Sequence, residues 1–235
     1  MKNIRIILIK IATQIFLLLL ALITLLPFVY IILISFGKNV ISAGAKIPKE
    51  FTFDNYKELF QATKFLNWLS NSLIIGLCTM VITVILVSVT VYVFSRLRFL
   101  GKEKLFNFLL LVQIFPLTLS MVSIFRIFVA IGLLNKMPGL IIIDSTLASA
   151  GLVMIAKGYF DTIPYDLDEA AVMDGATKLQ ILWKITLPLA KPMLAIVAIQ
   201  SFVIAYNEYV IASAVMTTNI LSMPLSVGLQ SMIVG

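Results

Sequence analysis

From Ile11 to Phe36 there is no charged side chain, and the same holds from Phe65 to Ser95 and from Leu105 to Phe125. Two further runs carry one each: Gly139 to Ala156 contains Asp144, and Pro192 to Val215 contains Glu208. About 20 apolar residues of helix cross a bilayer core. Lipid offers no partner to an unpaired backbone N–H or C=O, so such runs must be helical. They predict five transmembrane helices, at about 11–36, 70–95, 105–125, 139–157 and 192–215, in an all-α polytopic bundle. The whole chain, 1–235, reads as one membrane domain.

Composition closes other routes. The residues are 61% hydrophobic and 12% charged, with mean hydropathy +1.08; a soluble domain is about 25% charged. A soluble enzyme, a disordered tail and a secreted disulfide domain are excluded. There is no histidine, which removes the commonest general base and metal ligand. The one cysteine, Cys78, can form neither an internal disulfide nor a thiolate cluster, and reads as an ordinary buried small residue. No phosphate loop of the G-x-x-x-x-G-K-[S/T] kind occurs, so ATP is not bound in that way. No cofactor and no metal are expected.

The net charge of +7 reflects topology rather than nucleic acid, because the basic residues stand at the ends of apolar runs. With the N-terminus inside, the inner segments 1–10, 96–104 and 157–191 hold 11 Lys and Arg, against 7 in the outer segments 37–64 and 126–136. The densest cluster, Arg96, Arg98, Lys102 and Lys104, lies in a short loop, where the positive-inside bias is strongest. The first run is longer than a signal-peptide core, and Gly37-Lys38-Asn39 offers no small-residue cleavage site, so it reads as a retained span.

Two loops hold more than connectors. In the outer loop, Asp54 is a plausible helix N-cap, and Tyr56, Leu59 and Phe60 follow on one helical face. This predicts a short surface helix, or a docking surface for an external partner. The inner loop, 157–191, is the long polar stretch on the opposite side. Pro164 suits a first helical turn, Asp166, Asp168 and Glu169 suit its positive end, and Gly175 suits a left-handed C-terminal cap. A second helix is expected from about Ala176 to just before Pro188. The small Ala170 and Ala171 allow close approach to another surface, and Glu169 offers it a charge. Either a rigid lever for a soluble partner or an amphipathic helix resting on the inner leaflet fits these residues.

The order Glu169-Ala170-Ala171, three residues, Gly175, nine residues, Ile185-x-Leu187-Pro188 resembles the EAA loop of bacterial ABC importer permeases. Lys157 to Pro164 and Pro192 flank it as in that family. Asn55 to Phe60, Asn71-Ser72-Leu73 and Tyr92 to Arg96 resemble its carbohydrate-uptake branch, of the maltose/maltodextrin type. The likeness runs from about residue 10 to 235.

The resemblance implies a MetI-like permease fold in the bacterial inner membrane. It implies a second, related permease as partner, two cytoplasmic ATP-binding subunits, and an extracellular sugar-binding protein, with ATP hydrolysis on the partner subunits. Residues implied in ATPase coupling are Glu169 as charged anchor, Ala170 and Ala171 for close seating, Asp174 and Gly175 at the turn, and Ile185, Leu187 and Pro188 bracing the loop. Tyr206 stands before Asn207-Glu208 where the family usually has Trp. The family has six spans, so a sixth helix is expected to be missing after Ile220–Gly235. The competing class, a secondary transporter or channel, would show internal repeats and mid-membrane charges. Asp144 and Glu208 read as solvated near the outer interface, with a sugar contact or gate as the alternative. Arg126 reads as a snorkelling anchor, and Pro116, near Gln113, as a mid-span kink.

Overall fold

The computed structural model describes residues 2–38, 48, 50–114 and 117–234. They form helices and one isolated antiparallel bridge, Gly37 to Phe51, and divide into two compact units, Met1–Thr63 and Lys64–Gly235.

The first unit holds α1 (Lys2–Ser35) and α2 (Asp54–Ala62). From Ile9 to Ser35, α1 is long and apolar enough to cross a bilayer, and none of that stretch is buried. Large apolar side chains are exposed on every face of it, the pattern of a helix solvated by lipid. Its C-terminal end is tied to α2. Phe36 packs against Phe53 and Tyr56 at ring-centroid distances of 5.3 and 5.2 Å. The Ser35 and Tyr56 hydroxyls are 2.7 Å apart, and Asn55 Nδ2 donates to the carbonyls of Ser35 and Gly37. Asp54 is not the N-cap. Phe53 holds that position without a side-chain bond, and Asp54 begins the helix. The reason is Thr52, whose Oγ1 accepts from the Asp54 N–H and donates to its carboxylate. Tyr56 and Leu59 are half-buried and Phe60 is exposed.

The second unit is built on α3 (Phe65–Arg96), α6 (Met137–Phe160) and α10 (Lys191–Tyr206). Between α3 and α6 lie α4 (Lys102–Ile114) and α5 (Leu117–Ala130). Between α6 and α10 come α7 (Asp166–Met173), α8 (Lys178–Ile181), a π-helical turn (Leu182–Thr186) and α9 (Leu187–Leu189). The chain closes with α11 (Val210–Val215) and α12 (Leu225–Val234).

Among the described residues three helices, α1, α3 and α6, are long and apolar enough to cross a membrane. A fourth crossing appears if Lys178–Leu189 and Lys191–Tyr206, bent by 80°, count as one. The expected span at 105–125 falls on α4, on α5 and on residues 115–116, which lie outside the described residues. Pro116, the expected kink, lies outside the described residues. The expected span at 192–215 is broken after Tyr206. Glu208 starts a new helix there by accepting the N–H groups of Ile211 (2.7 Å) and Ala212 (2.8 Å). Asn207 Nδ2 binds the Val203 carbonyl at the end of α10. A carboxylate at a helix start satisfies orphan donors and meets the positive end of the dipole. Glu208 is therefore a backbone anchor for α11.

The core is a seam where α3, α6 and α10 meet. Val87 and Val91 pack against Ala148, Leu152 and Ala156, with Met193 and Val197 closing the third side. Small side chains let helices approach closely, which is what drives helix association in lipid. Cys78 is exposed, not buried as expected. It shares a helical face with Ile74, Leu77, Val81 and Ile85, all exposed, which points away from this seam.

A second cluster joins Trp68 and Ile75 of α3 to Ile211, Val215 and Met223. Polar atoms lock it: Trp68 Nε1 donates to Ile220 O, Asn71 Nδ2 to Leu221 O and Met223 O, and the Leu225 N–H to Ser72 Oγ. A Cβ on Gly228 would overlap the Trp68 indole, so α12 lies against α3 at backbone distance.

Asp144 is not solvated at an interface. It is 2% exposed on α6, and its Oδ1 has no hydrogen-bond partner. Packing of α6 on both α3 and α10 withdraws a face that hydropathy alone left open.

Candidate functional site

The segment from Phe160 to Ala190 is shaped by local chemistry. Lys157 Nζ meets Asp161 Oδ2 at 2.6 Å where α6 ends. The chain then turns, and Tyr165 takes the N-cap position of α7, its carbonyl accepting from the N–H groups of Asp168 and Glu169. Pro164 thus precedes the helix rather than lying in its first turn. Asp166, Asp168 and Glu169 fill that turn, where the helix dipole favours negative charge.

The end of α7 is a Schellman cap. The Gly175 N–H donates to Val172 O (3.0 Å) and the Ala176 N–H to Ala171 O (2.9 Å). Gly175 takes φ +81°, a conformation that costs an L-residue about 1–2 kcal/mol. Next comes a capping box: Gln180 N–H to Thr177 Oγ1 (3.3 Å) and Thr177 N–H to Gln180 Oε1 (2.8 Å). The second helix therefore begins after Thr177. It also runs past Pro188 rather than stopping before it. Proline clashes with the carbonyl four residues back in an α-helix; the π turn at Leu182–Thr186 lies just before it and changes that register. At Ala190 the chain bends by 80° into α10, so a helix upright in a membrane leaves its predecessor lying near the plane.

The C-terminal end of α3 grips both halves of this loop. Arg96 Nε lies 3.3 Å from Asp168 Oδ2. One terminal nitrogen of Arg96 donates to Ile163 O (2.8 Å) and Phe160 O (3.4 Å), and the guanidinium sits 4.4 Å from the centre of the Tyr165 ring. Tyr165 Oη in turn donates to Ser95 O. On the far side, Tyr92 Oη donates to Lys178 O (2.9 Å). Tyr92, Ala171, Ile181 and Leu182 form a small buried core beneath.

What this platform presents outward is unusual for a polar loop. Met173 is 87% exposed, and Leu167, Val172, Leu179 and Trp183 are exposed with it. A groove of about 840 Å³ runs between α7 and the residues after α3, with Arg98, Glu169, Met173 and Lys178 in its walls. Exposed apolar side chains beside a groove with charged walls mark a candidate interaction surface.

Residues 99–234 match the family described as the binding-protein-dependent transport system inner membrane component. The chain belongs to that family. It is similar, at 35% identity over 228 residues, to the maltodextrin transport system permease protein MdxG of Bacillus subtilis (strain 168), covering 95% of this chain and 81% of that protein. It is similar, at 38% identity over 195 residues, to the trehalose transport system permease protein SugB of Mycobacterium tuberculosis (strain CDC 1551 / Oshkosh), covering 83% and 71%. In structure it resembles a chain of a bacterial ABC transporter involved in the import of the acidic polysaccharide alginate. The TM-score is 0.82 with 27% identity, covering 97% of this chain and 80% of that one. The chain is an ABC importer permease embedded in a membrane.

Of the eight loop residues singled out in this permease's sequence, five are exposed: Glu169, Ala170, Asp174, Gly175 and Pro188. Ala171 is buried in the small core, with Ile185 and Leu187 packed against it. The two alanines thus do different things: Ala170 faces outward and Ala171 inward. Sequence reasoning missed Arg96, Tyr92 and Tyr165 as loop clamps, Asp168 as their ionic partner, and Met173 as the most exposed apolar side chain of the loop. Thr177-x-x-Gln180 is a local cap signature that could have been found; the clamps left no local signal.

Proposed function

We propose that this chain is a single transmembrane permease domain, one of two in an ATP-driven importer of the bacterial cytoplasmic membrane. Its N-terminus lies in the cytoplasm, and its substrate is a sugar delivered by an extracellular binding protein, of the maltodextrin or other oligosaccharide class. The named relatives transport maltodextrin and trehalose, which supports a neutral glucosyl sugar. Two ATP-binding subunits on the cytoplasmic side perform the hydrolysis, and α7 is the coupling helix that docks on one of them.

The observation that carries this reading is the rigid grip of α3 on α7. Arg96, Tyr165 and Tyr92 tie the loop to a long membrane helix at both of its ends, while Glu169, Ala170 and Met173 stay exposed. Force applied to the exposed face therefore reaches α3 rather than being lost in a floppy loop. Glu169 supplies the charge for a basic residue of the ATPase, Ala170 permits close seating, and Gly175 makes the turn.

Cysteine in place of Met173 tests it, with Cys78 replaced. The variant should cross-link to a coexpressed ATP-binding subunit and be protected from membrane-impermeant thiol reagents added outside the cell. Labelling from outside, or no cross-link in a transporting complex, overturns it. Glu169→Lys and Gly175→Trp should insert normally and abolish ATP-linked uptake.

A further inference from the structure

A cavity of about 810 Å³ lies between α6, α10 and α11, within the range of about 300–1,000 Å³ typical of small-molecule sites. Aliphatic side chains make up most of its wall. Its polar side chains are Asp144, Gln200 and Glu208, and neither Lys nor Arg lines it.

These three are not equivalent. Both carboxylate oxygens of Glu208 are engaged by the backbone of α11, so Glu208 is held in place. Asp144 is 98% withdrawn from solvent, and its Oδ1 has no partner. Its neighbours offer no relief: the Ser145 and Ser149 hydroxyls donate to carbonyls of their own helix. A buried polar atom without a partner is costly, and the residue that carries it is one of those lining an open cavity. Gln200 is exposed in α10 and can both donate and accept.

We propose that this cavity is a subsite for a neutral polyhydroxylated sugar, in which Asp144 accepts a hydrogen bond from a sugar hydroxyl and the aliphatic wall meets the C–H face of the ring. The chemistry selects this class. A hydroxyl donor that reaches the Asp144 carboxyl supplies a hydrogen bond at no cost in charge. An anionic saccharide, a uronate or a sugar phosphate, finds no Lys or Arg in the wall to offset its charge. A bare metal ion leaves most of the volume and the apolar wall unused, and the described residues contain no group of three or more metal-ligating side chains. The proposal rests on the importer reading above and adds to it a contact residue and a charge preference on this chain.

The test uses the assembled importer, with its second permease, ATP-binding subunits and binding protein, in proteoliposomes. The probes are maltotriose, trehalose and maltotriose oxidised to a carboxylate at one C6. The wild type should take up a neutral probe and exclude the oxidised one. Asp144→Leu should raise the KM for the neutral sugar about three- to tenfold, the scale of one hydrogen bond, with binding-protein-stimulated ATP hydrolysis retained. Asp144→Asn, which keeps an acceptor, should recover most of the loss. Copurification of all subunits controls for assembly. An unchanged KM in Asp144→Leu, or uptake of the oxidised probe in preference to the neutral ones, overturns the subsite while leaving the importer reading intact. Complexes that assemble with no ATP-binding subunit, or transport without ATP, overturn the importer reading itself.

Discussion

Arg96 Nε stands 3.3 Å from Asp168 Oδ2, with the two side chains only 2% and 12% exposed. The pair joins the last turn of a membrane helix to the first turn of a surface one. Arg96 adds bonds to the carbonyls that end α6 and lead to α7. A single side chain thus sets where three segments meet.

Breaking such a buried pair from one side leaves a lone charge, at a cost of about 3–5 kcal/mol. Arg96→Ala and Asp168→Ala should each lower the thermal midpoint of the detergent-solubilised protein markedly. The double variant Arg96→Met with Asp168→Leu should recover part of the loss, because it buries no unpaired charge. A double variant worse than the sum of the singles would count against the pair.

Gly175 has nothing within 4 Å of where a Cβ would stand, so its constraint is the backbone alone. Gly175→Ala should cost about 1 kcal/mol through the positive φ, and Gly175→Val more. Limited proteolysis between Met173 and Lys178 is the measurement. Equal cleavage rates in all three proteins would argue against a strained cap.

At Gly228 the opposite holds, because a new methyl group meets the Trp68 indole. Gly228→Ala should destabilise by about 1–3 kcal/mol through overpacking. Trp68→Leu in the same chain should relieve it, and a thermal-shift series in detergent reads both. Additive losses would place the two residues out of contact.

The Thr52 hydroxyl hydrogen bond, helped by the charges of Lys57 and Lys38, holds the Asp54 carboxyl below the usual carboxylate range. A lowered folded-state value means that its contribution is present above the unfolded value, and is lost as pH falls through the folded one. Titration by carboxyl-carbon NMR should give Asp54 a low midpoint, and Thr52→Val should move it upward. A midpoint indifferent to Thr52→Val would remove the cause assigned here.

Glu169 and Gly175 could be picked out before any coordinates, because their neighbours along the chain set their roles. Spacing and capping act within one turn. The apolar runs were legible for the same reason, since lipid imposes helix on any long charge-free stretch. Their breaks were harder. Glu208 looked like an isolated charge, yet it starts a new helix by seizing two N–H groups. A run of apolar residues says that a segment prefers lipid or core, not that it is one rod.

The sequence alone thus determined that the chain is helical, membrane-embedded and capped at Gly175, because propensity, hydropathy and left-handed backbone are local properties of each stretch. Only the tertiary structure decided that Arg96 meets Asp168, that Ala170 faces out while Ala171 faces in, and that Asp144 is buried with a free oxygen. Those outcomes depend on which face of one helix another covers, and residues far apart in the chain carry no local record of that choice.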